Sequence, residues 1–264
     1  MTMIRDHRQR DPLPGAAVAR ARAVLSELGL KHPTEIEIEA IAHARGALVR
    51  AAPTRGARAN LLRMGARGII SVSDLALEQR RWAIAHELGH FEAHPNVSYL
   101  GFCTGEDLRA DYHSSGREPE ANAFAAELLM PEALFQKSVD KVAKPSWKEV
   151  QAIAAGFQVS LTAAAYRFVE LSWERVALFI CKDGRVVTSR GRRDFGTRLK
   201  KEQPLHNASL AHDYFAKKKV WPGAQHVSAQ AWSPNARESD EVMEELFVME
   251  TYGLVLCLVW HPAR

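Results

Sequence analysis

Along the first part of the chain, the spacing of apolar positions alternates between a helical period and a strand period. Over 16–28, Val18, Val24, Leu25 and Leu28 share an amphipathic helical pattern with several alanines, and Gly29 stops it. A second helix is predicted over 35–44, with Thr34 as N-cap and Gly46 past its end. Residues 47–51 read as extended. The runs 57–64 and 68–72 flank Gly65-Ala66-Arg67 and predict a hairpin. A long helical pattern follows over 77–94, with Trp82, Ala85, Leu88 and Phe91 on its apolar side and Pro95 closing it. A polar, glycine-containing connection covers 96–116. Helices are then predicted over 118–129, ending at Met130-Pro131, and over 132–142. The stretches 146–155 and 160–171, joined at Gly156, predict a helix-turn-helix-like pair.

After Trp173 the pattern changes to strands. The runs 176–181 and 185–189 flank Lys182-Asp183-Gly184, a hairpin signal. A basic stretch (190–201), a helical piece (210–218) and two strands around Tyr252-Gly253 (242–250 and 254–260) complete the chain. The expected class is α+β, in three segments: a mostly helical domain with a small sheet (1–145), the helical pair (146–172) and a C-terminal α+β domain (173–264). Residues 1–14, charged and carrying Pro12 and Pro14, read as a loose arm.

Composition narrows the function classes. Hydrophobic residues make up 47% and charged residues 25% of the 264, so a packed core is expected rather than disorder. A net charge of +4 permits an anionic partner without demanding one. Cys103, Cys181 and Cys257 are few, odd in number and far apart, which argues against a disulfide framework and for a reducing compartment. No apolar region follows the charged start, and no run approaches a membrane span, so a soluble cytoplasmic protein is expected.

The chemistry concentrates in His86-Glu87-Leu88-Gly89-His90. Histidines four residues apart stack on one face of a helix, where both imidazoles can reach one ion. Glu87 sits beside the first, placed to act as general base on water held by that ion. Gly89 leaves space beside the histidines. Such a site needs a third protein ligand, and four residues are candidates. Glu118 stands one helical turn before Asn122, whose amide can orient a ligand histidine. Glu120 points away from Glu118, so a regular helix offers only one of the two, and the alignment with Asn122 favours Glu118. His94 extends the i, i+4 stack but lies about 12 Å from His86 along the axis, and reads better as a helix-end histidine. His113 lies in the connecting loop. Two histidines and a carboxylate suit Zn2+, with Mn2+ or Fe2+ as alternatives.

The run Ala83-Ile84-Ala85-His86-Glu87-Leu88-Gly89-His90 resembles the ImmA/IrrE family of bacterial metallopeptidases. So does the longer run from Glu118-Pro119-Glu120-Ala121-Asn122 to Leu128-Leu129-Met130-Pro131. The resemblance covers roughly 16–135 and implies a zincin-like domain with a gluzincin-like site: His86, His90 and Glu118 as ligands and Glu87 as base. It also implies a substrate, a helix-turn-helix repressor of the XRE type whose cleavage switches on a stress or mobile-element response. The pair at 146–171 looks like the segment that follows the peptidase part in IrrE-type members, and the region after 173 like their C-terminal sensory domain, GAF-like in some.

A competing reading is a DNA-binding or effector-sensing transcriptional regulator using the C-terminal half. The helical pair and the cluster Arg190, Arg192, Arg193, Arg198, Lys200 and Lys201 favour it. The second helix of the pair carries only Arg167 as a basic residue, which suits packing better than base reading.

Overall fold

The computed structural model describes residues 15–54, 57–94, 100–103, 116–191, 195 and 199–262, with 100–103 described for the backbone alone. These residues form eight α-helices and two sheets, an α+β architecture. The chain divides into two compact units, one of Pro12–Lys137 and Ile153–Ala164, the other chiefly of Ser138–Ala152 and Ala165–Arg264. The arm at 1–14 lies outside the described residues.

The first unit opens with α1 (Gly15–Glu27) and α2 (Ile38–Ala44), followed by β1 (Ala47–Ala51), β2 (Ala59–Met64) and β3 (Arg67–Val72). Gly29, at φ +68°, ends the α1 segment by letting Leu30 N–H return to Leu25 O at 3.0 Å. Thr34 does not cap α2. It sits in a 3-10 turn, Pro33–Glu35, whose Glu35 carboxylate accepts the N–H groups of Lys31 and His32 at 2.6 and 2.9 Å. Then come α3 (Leu77–Ala93), β4 (Leu100–Cys103), α4 (Arg117–Leu129) and α5 (Glu132–Val139). The sheet order is β1-β3-β2-β4, with β1 parallel to β3 and the other pairs antiparallel. Both strands of the hairpin β2–β3 are therefore interior, and among the described residues the edge strands are β1 and β4.

The central helices are α3 and α4. From Ala83 to Phe91, and again from Ala121 to Leu129, every residue is buried. An amphipathic stripe therefore gives way to burial all round. Ile84, Leu88, Phe124 and Leu128 are fully buried, each worth roughly 1.5–3 kcal/mol of transfer free energy. Two largely buried carboxylates of this unit, Glu127 and Glu92, are paired with arginines. Arg22 of α1 donates to Glu127 and Glu132 at 2.7 Å each, and Glu92 of α3 takes Arg20 at 2.7 Å and Arg45 at 2.7 Å.

The helical pair is α6 (Trp147–Phe157) and α7 (Leu161–Leu171), bent by 109°. The turn does not fall at Gly156. The helix continues through Gly156 to Phe157, a buried residue packed on the Phe135 ring at 5.0 Å, and breaks at Gln158, φ +52°. In α7, Arg167 is buried and paired with Glu170 at 3.0 Å, so it is not presented for base contacts. No single described helix is long and apolar enough to cross a membrane.

The second unit is built on β5 (Val176–Lys182), β6 (Arg185–Gly191), β7 (Gln225–Ser228), β8 (Glu241–Met249) and β9 (Leu254–Trp260), with α8 (Leu210–Lys217) between β6 and β7. The sheet is antiparallel throughout, in the order β6-β5-β9-β8-β7. Asp183 (φ +49°) and Gly184 (φ +73°) make the tight turn between β5 and β6. Alternate residues of the strands, among them Phe179, Cys181, Val242, Val255 and Cys257, meet Trp232, Leu210 and Ala211 in one core. Cys181 and Cys257, distant in sequence, are free buried thiols with sulfurs 3.8 Å apart.

Candidate metal centre

α3 and α4 bring the chemistry together. His86 and His90 lie one turn apart on α3, with ring centroids 4.8 Å apart and Nε2 atoms 3.1 Å apart. Glu118, in the first turn of α4, faces both: its Oε2 is 3.1 Å from His86 Nε2 and its Oε1 3.3 Å from His90 Nε2. One donor atom from each of the three lies within 4.8 Å of the others, and theirs is the cluster among the described residues with a metal-ligating arrangement. Two imidazole nitrogens and a carboxylate on one side of an ion leave room for a fourth ligand, a donor set that fits zinc and its neighbours.

The close approach of the two helices has a specific cause. A Cβ on Gly89 would lie 3.0 Å from both Cα and the carbonyl O of Ala121. Gly89 therefore makes room for the backbone of α4 rather than for the imidazoles, and that contact sets Glu118 and Asn122 against the histidines. Asn122 Oδ1 accepts from His86 Nδ1 at 2.9 Å, both side chains being buried. With Nδ1–H donated to Asn122, His86 directs Nε2 toward the cluster, the nitrogen that would bind an ion.

The electrostatics follow from burial and mutual contact. Burial alone raises the Glu118 pKa, but the hydrogen bonds to His86 and His90 outweigh it and hold the carboxyl well below its ordinary range. Burial pulls His90 below its usual value against the opposing effect of Glu118. The imidazole thus favours the neutral form that a metal ligand requires. Glu87 is fully buried on α3 beside His86.

The remaining candidates fall elsewhere. His94 and Glu120 are not part of the triad. They bond each other, His94 Nε2 to Glu120 Oε2 at 2.9 Å. His113 lies outside the described residues, as do Arg192, Arg193 and Arg198 of the basic cluster. A buried carboxylate in the second unit went unread in the sequence. Glu244 of β8 is fully buried and accepts the N–H groups of Leu210 and Ala211 at 3.0 Å each and the Trp232 indole N–H at 2.9 Å. Burial pushes its pKa up to about 7 against the pull of these donors. Its signal was parity, since 242, 244, 246 and 248 share one face of β8 and the other three are apolar.

Comparison with known proteins extends the picture. A comparison with curated proteins finds no match. Among solved structures, a Mycobacterium tuberculosis transcriptional regulator has a similar fold, with a TM-score of 0.57 at 13% identity over 94% of this chain and 77% of that one. The sequence model of the IrrE N-terminal-like domain, Peptidase_M78, matches residues 32–169, which contain both α3 and α4 and make up just over half of the chain. The chain belongs to the ImmA/IrrE family, a family of metallopeptidases.

Proposed function

We propose that this protein is a cytoplasmic zinc-dependent endopeptidase that cleaves a helix-turn-helix repressor of the XRE type and so derepresses a stress or mobile-element response. The observation that carries the peptidase reading is the convergence of His86, His90 and the Glu118 carboxylate beside the buried Glu87. The substrate rests on the family.

His86, His90 and Glu118 would hold the ion. When bound, zinc lowers the pKa of a water toward 7 and polarises the scissile carbonyl. Glu87 accepts the proton of the attacking water and delivers it to the leaving amine. Asn122 keeps His86 in the tautomer that presents Nε2. An extended substrate adds to a sheet edge by main-chain hydrogen bonds. The hairpin β2–β3 is interior, so an added substrate strand would pair with one of the two edge strands among the described residues, β1 or β4.

For the effector-sensing reading, the second unit offers a small half-open pocket of about 230 Å³, lined among others by Arg175, Phe195, Ser233, Asp240 and His261. It supplements the peptidase reading as a place for a regulatory small molecule. The DNA-reading alternative is weakened by the burial of Arg167.

Co-expression with the helix-turn-helix repressor encoded nearest the gene tests the proposal, with the repressor's intact mass followed with and without stress. Specific fragments are expected with the wild type. With Glu87→Gln, which keeps the ligands and loses the base, cleavage is expected to fall by about 10²–10⁴-fold. A repressor cut equally by both refutes the role of Glu87. Metal analysis of protein from its native host distinguishes Zn2+ from Mn2+ and Fe2+.

A further inference from the structure

The three ligand side chains are not equally well supported. His86 and His90 are buried in the middle of α3, whereas the Glu118 side chain is 30% exposed in the first turn of α4. That turn has no side-chain cap: Gly116 occupies the N-cap position with φ +138°. A tie between this turn and α3 would help to hold the third ligand.

His94 and Glu120 supply such a tie. Glu120 lies in the same first turn as Glu118, and its Oε2 is 2.9 Å from His94 Nε2. His94 is the C-cap residue of α3, and its backbone N–H is tied to His90 O at 3.2 Å. Its ring lies against the His90 ring, centroids 5.5 Å apart and tilted by 42°. The bond to Glu120 is the ring's one side-chain hydrogen bond among the described residues, since Nδ1 is buried without a partner. The ring is therefore held from one side by Glu120 while its face packs on a ligand. One side chain restrains both the His90 imidazole and the helical turn that carries Glu118.

We infer that His94 and Glu120 form a positioning pair that fixes His90 and Glu118 at the metal-binding distance, without ligating the ion. This rests on the reading of His86, His90 and Glu118 as ligands. Partners behind a ligand shell commonly change metal affinity by about 10–100-fold.

The test is the affinity of the metal-free full chain for Zn2+, by chelator competition, with the absorption spectrum of the Co2+ form as a second readout. His94→Ala and Glu120→Ala are each expected to weaken Zn2+ binding by about 10–100-fold. The double variant is expected to be no weaker than the worse single, because the two act as one unit. His94→Gln and Glu120→Gln, which keep a donor and an acceptor at the bond, are expected to restore most of the affinity. The Co2+ spectrum is expected to broaden in the alanine variants and to recover in the glutamine ones. Thermal melts of the metal-free proteins show whether each variant is folded. Wild-type affinity in a folded His94→Ala overturns the inference, as does additive loss in the double variant. His90→Ala separates this from the parent reading: if that variant keeps wild-type affinity, the ligand assignment itself fails.

Discussion

Glu118 and Glu244 are both carboxylates gripped by nitrogen atoms, and their pKa values move in opposite directions. Glu118 stands between two imidazoles, partly open to water, and its pKa is held low. Glu244 is sealed in the core of the second unit against two backbone N–H groups and an indole, and its pKa rises to about 7. The contrast lies in what the partners can become and how much solvent remains. Imidazoles can take up charge or share a metal ion, so the anion at Glu118 is matched and useful. The donors around Glu244 carry no net charge, so burial of the anion is not fully offset. The first arrangement belongs to a binding site and the second to a fold, in which Glu244 ties the start of α8 and Trp232 to β8.

Removing each carboxylate separates these roles. Glu118→Ala is expected to lower metal affinity by more than the roughly 100-fold upper end typical of outer partners. It should change the stability of the metal-free protein by about 1 kcal/mol or less. Glu244→Ala should do the reverse. It leaves three buried donors unsatisfied and opens a cavity, at a cost of about 3–5 kcal/mol, while Zn2+ affinity of the folded fraction stays at the wild-type value. Denaturant unfolding and chelator competition on both variants check the pair. Equal stability losses would erase the distinction.

The pH dependence sharpens the same comparison, with opposite signs. Glu244 has a folded-state pKa above its ordinary 4.5. The stability it contributes is full below about 4.5 and is lost as pH rises through about 7, a change of about 3 kcal/mol. Glu118, with a depressed pKa, contributes stability to the metal-free protein that is present above 4.5 and is lost as pH falls. The difference in unfolding free energy between wild type and Glu244→Gln, measured from pH 5 to 8, isolates the first term. A difference that does not vary with pH contradicts it.

Much of the candidate metal centre was legible because its logic is local. The i, i+4 histidines, Glu87 and the Glu118–Asn122 spacing all follow from one helical period. What escaped depends on distant partners or weak patterns. Glu244 meets Leu210 and Trp232, residues 34 and 12 positions away, and an inward glutamate in a strand resembles a solvated one until those partners are known. β4 and β7 are four residues each, too short to show alternation, and β7 turns only Val227 inward. Gly156 suggested a turn, but burial of Phe157 against Phe135 carries α6 one residue further. The joining of His94 to Glu120 needed the crossing of α3 and α4, which no single-helix argument supplies.

That crossing is the feature easiest to perturb by one methyl group. Gly89→Ala places a Cβ 3.0 Å from the Ala121 Cα and carbonyl oxygen and 3.2 Å from Phe124 Cβ. The obstacles are backbone and a Cβ, so no rotamer change relieves the contact and α4 has to move. Alanine has the higher helix propensity, worth up to about 1 kcal/mol in the opposite direction. Overpacking at a tight helix contact costs about 1–3 kcal/mol, so a modest net destabilisation of about 1–2 kcal/mol is expected. The larger signature is at the ion. Shifting α4 by a few tenths of an ångström moves Glu118 and Asn122 together relative to His86, so Zn2+ affinity falls further than stability predicts. Gly156→Ala supplies the matched control, because its added Cβ meets nothing within 4 Å. It should stabilise α6 by up to about 1 kcal/mol and leave the metal affinity unchanged. If Gly89→Ala also leaves Zn2+ affinity unchanged, the spacing of α3 and α4 is not what positions the third ligand.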